Sequence, residues 1–239
     1  MMNERQAKLL EMLKDVSEVM RAHDIPFYLA YGTLLGAVRH HGFIPWDDDV
    51  DIYVFEKDLD RIAEAMKDLG DRYYYHIPSI DNHPHLIYCD KDFKAEVEEK
   101  TAPFIDFFPL IPYPTLGRRI LYRPLFYAYT VVSIIGNSVK NEYLIGLLAW
   151  IIKTNRKIMS VLIPEDNETL FAEADYMKWT YSRKAFGNPK WVQYEDISLP
   201  IPEDSEKLLI TLFGKNYMTP PPEDKRGGAL GYPGNVLYD

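Results

Sequence analysis

Cysteine is nearly absent, with Cys89 the only one in 239 residues. That excludes an internal disulfide and a thiolate zinc centre, and it makes a reducing compartment the natural setting. Long apolar runs are missing too. The N-terminal stretch MMNERQAKLLEMLKDVSEVMRAHD is charged throughout and has no apolar segment of signal-peptide length, which predicts a cytoplasmic chain. Between Pro124 and Trp150 aliphatic and aromatic residues accumulate, but Lys140 and Glu142 interrupt them before the roughly 18 to 20 apolar residues a spanning helix needs. Two readings of that stretch stay open. One is a pair of buried helices; the other is a peripheral membrane contact at the inner face of the membrane, flanked by Arg118, Arg119, Arg123, Lys153, Arg156 and Lys157. Positive charge is in deficit: 27 Lys and Arg stand against 36 Asp and Glu, a net charge of -9 that argues against a nucleic-acid partner. Any phosphate bound here needs a metal or a local basic patch. Internal repeats and low-complexity tracts are also lacking, and 47% hydrophobic with 26% charged residues is an ordinary globular balance.

What is present alternates between helix and strand. Leu9, Leu10, Leu13, Val16 and Met20 recur at helical spacing, so residues 4 to 23 read as an amphipathic helix. Ile25 to Ala30 suits a buried strand feeding a Gly32-Thr33 turn, and a short helix over Leu34 to Arg39 follows. In DVDIYVF, Val50, Ile52 and Val54 alternate with Asp49, Asp51 and Tyr53, the period of a strand with one face on the core and the aspartates on the other. A second amphipathic helix runs through Leu59, Ile62, Met66 and Leu69, and strands are expected at 73–76, 86–89 and 104–108. Beyond Pro109 the sequence reads as a turn, then forty-odd helical residues, then a Pro-rich tail. The expected fold is α+β, with a catalytic core over residues 1–112 and a mainly helical substrate and packing region over 113–239, in one continuous domain.

The densest chemistry lies in YGTLLGAVRHHGFIPWDDDVD, residues 31 to 51, where four aspartates fall within five positions. Carboxylates at i and i+2 of a strand point to one side, about 6.5 to 7 Å apart along the chain, and can converge on one divalent ion. Asp49 and Asp51 fit that pattern, whereas Asp47 and Asp48 read equally well as solvated loop charges. An EF-hand fails, because with Asp47 first the sixth position is Ile52 instead of Gly and the twelfth is Asp58 instead of Glu. Magnesium, or manganese, on two carboxylates keeps positions open for substrate phosphates. Gly32 permits close backbone approach, and Thr33 could cap the next helix with its amide end toward an anion. Asp106, set in FIDFF, needs a partner if buried and is a candidate third ligand or base. Arg39 reads equally as a phosphate contact and as packing. Trp46 reads as a stacking platform or packing, His40 and His41 as packing, and His83 with His85 as a weak metal pair.

AYGTLLGAVRHHGFIPWDDDVDIYV resembles the signature of the LicD/fukutin family, part of the nucleotidyltransferase-fold superfamily. The preceding helix, FIDFFPL and LFGKNYMTPPPEDKR resemble it in the same order, so the resemblance spans most of the chain, with residues 114 to 180 its least recognisable part. The resemblance implies a nucleotidyltransferase-type mixed sheet flanked by helices. It implies a magnesium or manganese site on Asp49, Asp51 and Asp106, with Gly32, Thr33 and Arg39 binding substrate, and Trp46 joins the expected substrate-binding residues as a stacking platform. It further implies transfer of a phosphoalcohol, above all phosphocholine from CDP-choline, to a hydroxyl of a glycan or lipid-linked glycan of teichoic acid, lipopolysaccharide or capsule, with CMP leaving. Three other readings remain beside it: a metal-dependent glycosyltransferase, a nucleotidyl transfer releasing pyrophosphate, and a non-catalytic binding domain.

Overall fold

A computed structural model of the chain describes residues 2–76, 84–88, 102–114, 116–136, 142–162, 168–172, 175 and 177–226. Cys89, Lys140 and His83, named above, lie outside them. Helix α1 (Glu4–Ala22) opens on a reciprocal capping box between Asn3 and Gln6, with Glu4 in its first turn and Arg21 in its last, each favourable to the helix dipole. Leu9, Leu13, Val16 and Met20 on one face are wholly buried. Strand β1 (Phe27–Leu29) and helix α2 (Tyr31–Arg39) follow. Strand β2 (Val50–Phe55) leads into α3 (Leu59–Ala65), which tightens to a 3-10 helix and breaks at Gly70. Strands β3 (Tyr73–His76), β4 (His85–Tyr88) and β5 (Phe104–Pro112) complete the first half.

The main sheet is mixed and has seven strands among the described residues, five of them in the order β1-β2-β5-β4-β3 and two more, from the C-terminal half, added alongside the end of β5. β2 and β5 pair in parallel at the centre; the other pairs are antiparallel. β5 runs four residues past the expected end at Phe108, through the segment read as a turn. Its alternation explains this: Leu110 enters the principal core and Ile111 points into a second, smaller cluster.

Helices α4 (Leu116–Gly136) and α5 (Glu142–Leu162) form a hairpin over that second cluster, with Tyr122, Phe126 and Met159 packed on Ile111, Tyr113, Phe171 and Met177. Burial of the hairpin is one-sided, since Leu116, Ile120, Tyr143 and Trp150 on its outer side are exposed. Among the described residues no helix is long and apolar enough to cross a membrane. The C-terminal half also contains strands that its sequence pattern did not announce. β6 (Thr169–Ala172) pairs with β5, β7 (Tyr181–Ser182) pairs with β6, and β8 (Lys190–Tyr194) with β9 (Ile197–Ile201) forms a separate hairpin. A further α-helix, α6 (Ser205–Phe213), carries Asp204 as its N-cap. The class is α+β, as expected.

Candidate functional site

α2 is stitched to β2 from its first turn. Ala30 N–H donates to Asp51 O at 3.0 Å, and Asp51 N–H donates to Thr33 Oγ1 at 2.9 Å. Gly32 and Thr33 therefore lie inside the helix instead of in a turn before it, and the N-cap is Ala30, which has no side-chain bond. Thr33 does not cap the helix: it is buried, and its hydroxyl fixes the strand that carries Asp51. Gly32 has a steric reason. A Cβ there would lie 2.9 Å from Asp47 Oδ2, so only glycine lets this carboxylate close over the start of the helix. Gly36 has another, since its Cβ would meet Gly42 O at 2.5 Å.

β2 begins at Val50, so Asp49 stands just before the strand. Both faces of β2 are covered, because Tyr53 on the aspartate side packs against Tyr31, Tyr181 and Phe186. Across the sheet, Asp51 is opposite Asp106 in the parallel β2–β5 pair, and Asp106 is opposite His85 in the antiparallel β4–β5 pair. His85 Nδ1–H donates to Asp106 Oδ1, which gives the buried carboxylate of FIDFF its partner. The sequence had placed His85 in a weak metal pair; cross-strand register gives it this contact instead.

The electrostatics record crowding. Burial first, then Asp47, Asp106 and Asp48, push Asp49 up to about 8. Asp51 is raised well above the carboxylate range by burial, then by Asp49, Asp106 and Asp47. Every influence on these two acids acts in the same direction. Asp47 rises to about 6 through burial and Asp48, with Arg39 and hydrogen bonds acting against the rise. Asp47 is thus half-buried among the other acids instead of standing alone as a solvated loop charge. Asp47, Asp48 and Asp49 also have carboxylate oxygens within 4.8 Å of one another. This loop triad shares Asp49 with the expected metal set of Asp49, Asp51 and Asp106, whose carboxylates are not grouped this closely among the described residues. Hard oxygen donors left mutually repulsive suit a divalent cation such as magnesium.

Beside the acids lies a cavity of about 360 Å³ lined by Gly32, Arg39, Trp46, Asp47, Tyr217 and Thr219, among others. It contains three of the four residues expected to bind substrate, Thr33 being the exception. Its far wall is the segment after α6, which Arg39 ties down by donating from Nη1 to Tyr217 O at 2.9 Å. Trp46 lines the cavity while meeting His40 edge-on and lying under the Arg226 guanidinium at 4.5 Å.

Several supports were missed from sequence. Gln6 Nε2 donates to Ile44 O at 3.1 Å and Asp47 O at 3.0 Å, and Arg5 Nε donates to Asp48 O at 2.6 Å, so α1 pins the acid loop. Glu195, in the β8–β9 turn, accepts from Phe43 N–H at 3.0 Å and donates its own N–H to His41 O at 2.8 Å. Asp175 accepts from Tyr31 OH at 2.8 Å and Tyr181 OH at 2.5 Å, anchoring the first residue of α2, which has a left-handed φ of 38°. Of these, only the Asn3-to-Gln6 capping spacing left a trace in the sequence.

Residues 24–121 match the family model described as LicD/FKTN/FKRP, nucleotidyltransferase domain. Over that stretch the chain is similar to the LicD/FKTN/FKRP family. The match takes in α2, the acid loop, the β2–β5 pair and the start of α4. The lipopolysaccharide cholinephosphotransferase LicD of Haemophilus influenzae is 38% identical over 64 residues, 27% of this chain and 24% of that protein. The human ribitol 5-phosphate transferase FKRP is 28% identical over 109 residues, 44% of this chain and 20% of its own length. An uncharacterized protein of Rickettsia typhi is 42% identical over 67 residues, 27% of this chain and 22% of that protein. The matches thus span between a fifth and a quarter of the relatives' length, while the α4–α5 hairpin lies almost wholly outside the LicD-family match.

Proposed function

We propose that the chain transfers a phosphoalcohol from a CDP-linked donor to a glycan hydroxyl, with phosphocholine the leading candidate for the group moved. One observation carries the reading: the clustered carboxylates of Asp47, Asp48 and Asp49 lead into the paired strands that set Asp51 opposite Asp106, and Asp47 lines a cavity with Gly32, Arg39 and Trp46, all within the segment that matches the LicD family. The relatives named for cholinephosphate and ribitol 5-phosphate transfer support phosphoalcohol transfer in general.

Magnesium or manganese would be held at this acid cluster, where the carboxylates of Asp47, Asp48 and Asp49 lie close enough to share an ion and Asp51 and Asp106 stand beside Asp49. When bound, such an ion offsets diphosphate charge and leaves positions for phosphate oxygens. The chain's own residues then have distinct tasks. Arg39, tied at Tyr217 O, offers its guanidinium to a phosphate on the cavity wall. Trp46 presents a ring for the base or the alcohol. Asp106, oriented by His85, completes the acid group or directs the acceptor hydroxyl. The hydroxyl oxygen bonds to the phosphorus carrying the alcohol, the bond from that phosphorus to the bridging oxygen breaks, CMP departs with its electron pair, and the hydroxyl proton passes to a carboxylate or water. Positioning and charge stabilisation supply most of the rate.

The test is thermal stability with and without magnesium against CDP-choline, CDP-ribitol, CDP-glycerol, UDP-glucose and ATP, because a ligand of the folded state raises Tm. A CDP-alcohol shift that chelation abolishes is the expected result. A shift confined to UDP-glucose or ATP would move the function to glycosyl or nucleotidyl transfer.

A further inference from the structure

The outer side of the α4–α5 hairpin has no counterpart in the site described above. On α5, Tyr143, Leu147, Trp150, Ile158 and Val161 follow one another at helical spacings of three, four and eight and are all exposed, Tyr143 at 91% and Trp150 at 64%. On α4, Leu116, Ile120, Tyr127 and Val131 form a similar stripe, with Leu116 at 77% and Ile120 at 76%. The opposite sides of the same helices are committed to the inner cluster through Tyr122, Phe126 and Met159. Two adjoining helices with exposed apolar stripes, broken only by Arg123 and Thr154, exceed the scatter of single hydrophobes expected on a protein surface.

Charge indicates what covers the patch. Residues 116–162 contain seven Lys and Arg against Glu142 alone, a net +6 in a chain of net -9. Arg118, Arg123, Lys153 and Lys157 are exposed on the two helices. A symmetric second copy would bring these cations against one another, whereas an anionic surface would attract them. Trp150 and Tyr143, with polar atoms on apolar bodies, suit the boundary between headgroup and acyl chain. Since neither helix can span a bilayer, the fitting geometry is a hairpin lying in the interface with its stripes downward and its cations level with the phosphates.

We propose that the outer face of the α4–α5 hairpin docks the protein onto the surface of an anionic lipid bilayer. This goes beyond the transfer reading and requires no nucleotide, so its test separates from that reading. The full chain is floated with phosphatidylcholine vesicles with or without about a third phosphatidylglycerol, at low and high salt. Binding is expected to the anionic vesicles, at least about tenfold weaker to the zwitterionic ones, and weakened by salt. Leu147→Glu with Trp150→Glu should abolish it, and Arg123→Glu with Lys153→Glu should lower it roughly tenfold or more. These residues are exposed, so unchanged melting temperatures and circular dichroism would show that the variants remain folded. Absence of vesicle binding overturns the proposal, as does equal binding to both vesicle types. A lipid-free dimer by light scattering that Leu147→Glu with Trp150→Glu dissociates, with no vesicle binding, assigns the face to a second copy instead.

Discussion

At the scale of the residue, the acids of the site are in conflict with the fold that holds them. The carboxyl of Asp49 is held at about 8, and Asp51 is raised in the same direction by burial and its neighbours. A carboxyl raised on folding binds more protons in the native state than in the unfolded one. Its contribution to stability is therefore full below the unfolded value near 4 and is lost as pH rises toward about 8. Chelated protein should melt higher at pH 5 than at pH 8, and magnesium should reduce the difference; a melting series over that range with and without chelator checks it. Asp49→Asn should flatten the slope and leave the chelated protein as stable or more so at pH 8. Asp49→Asn and Asp51→Asn should each lower turnover about a hundredfold or more, because each removes a carboxylate that would hold the divalent ion facing the diphosphate, and single-turnover measurements on the folded variants read this out. Full activity in both would remove the acids from the chemistry.

At the scale of the element, the site depends on what holds the acid loop. α1 does this with Gln6, which is buried and donates to two loop carbonyls. Gln6→Ala leaves those carbonyls without that donor and should cost about 1 to 3 kcal/mol. It should raise KM more than it lowers kcat, and denaturant unfolding beside steady-state kinetics measures both. Gly36→Ala drives a methyl into the backbone of Gly42 and should cost about 1 to 3 kcal/mol through overpacking. Much of this was legible beforehand. The α1 periodicity, the alternation around Asp51 and the isolated acid in FIDFF all lie in short windows of sequence, where spacing alone fixes which side chains share a face. What was not legible depends on contacts across the chain. The pairing of His85 with Asp106 needs the β4–β5 register, the role of Thr33 needs the strand it holds, and β6 and β7 are too short to show a period of their own.

At the scale of the whole molecule, the described residues form two hydrophobic clusters, with β5 feeding both. The smaller one holds the α4–α5 hairpin, and Phe126 is among its fully buried rings. Phe126→Ala should cost about 3 to 5 kcal/mol of packing there. Hydrogen exchange should then quicken across α4 and α5 while the central strands β2 and β5 keep their protection. The acids at the centre, by contrast, belong to the molecule as a whole. Asp51 and Asp106 are far apart in the chain and meet only when β2 and β5 pair in parallel. That pairing closes a long loop, a slow step by topology alone, and at neutral pH it also brings two carboxylates into a dry interior. The strand junction that creates the site is therefore also an electrostatic brake on the molecule's assembly, which protons or a divalent ion can release.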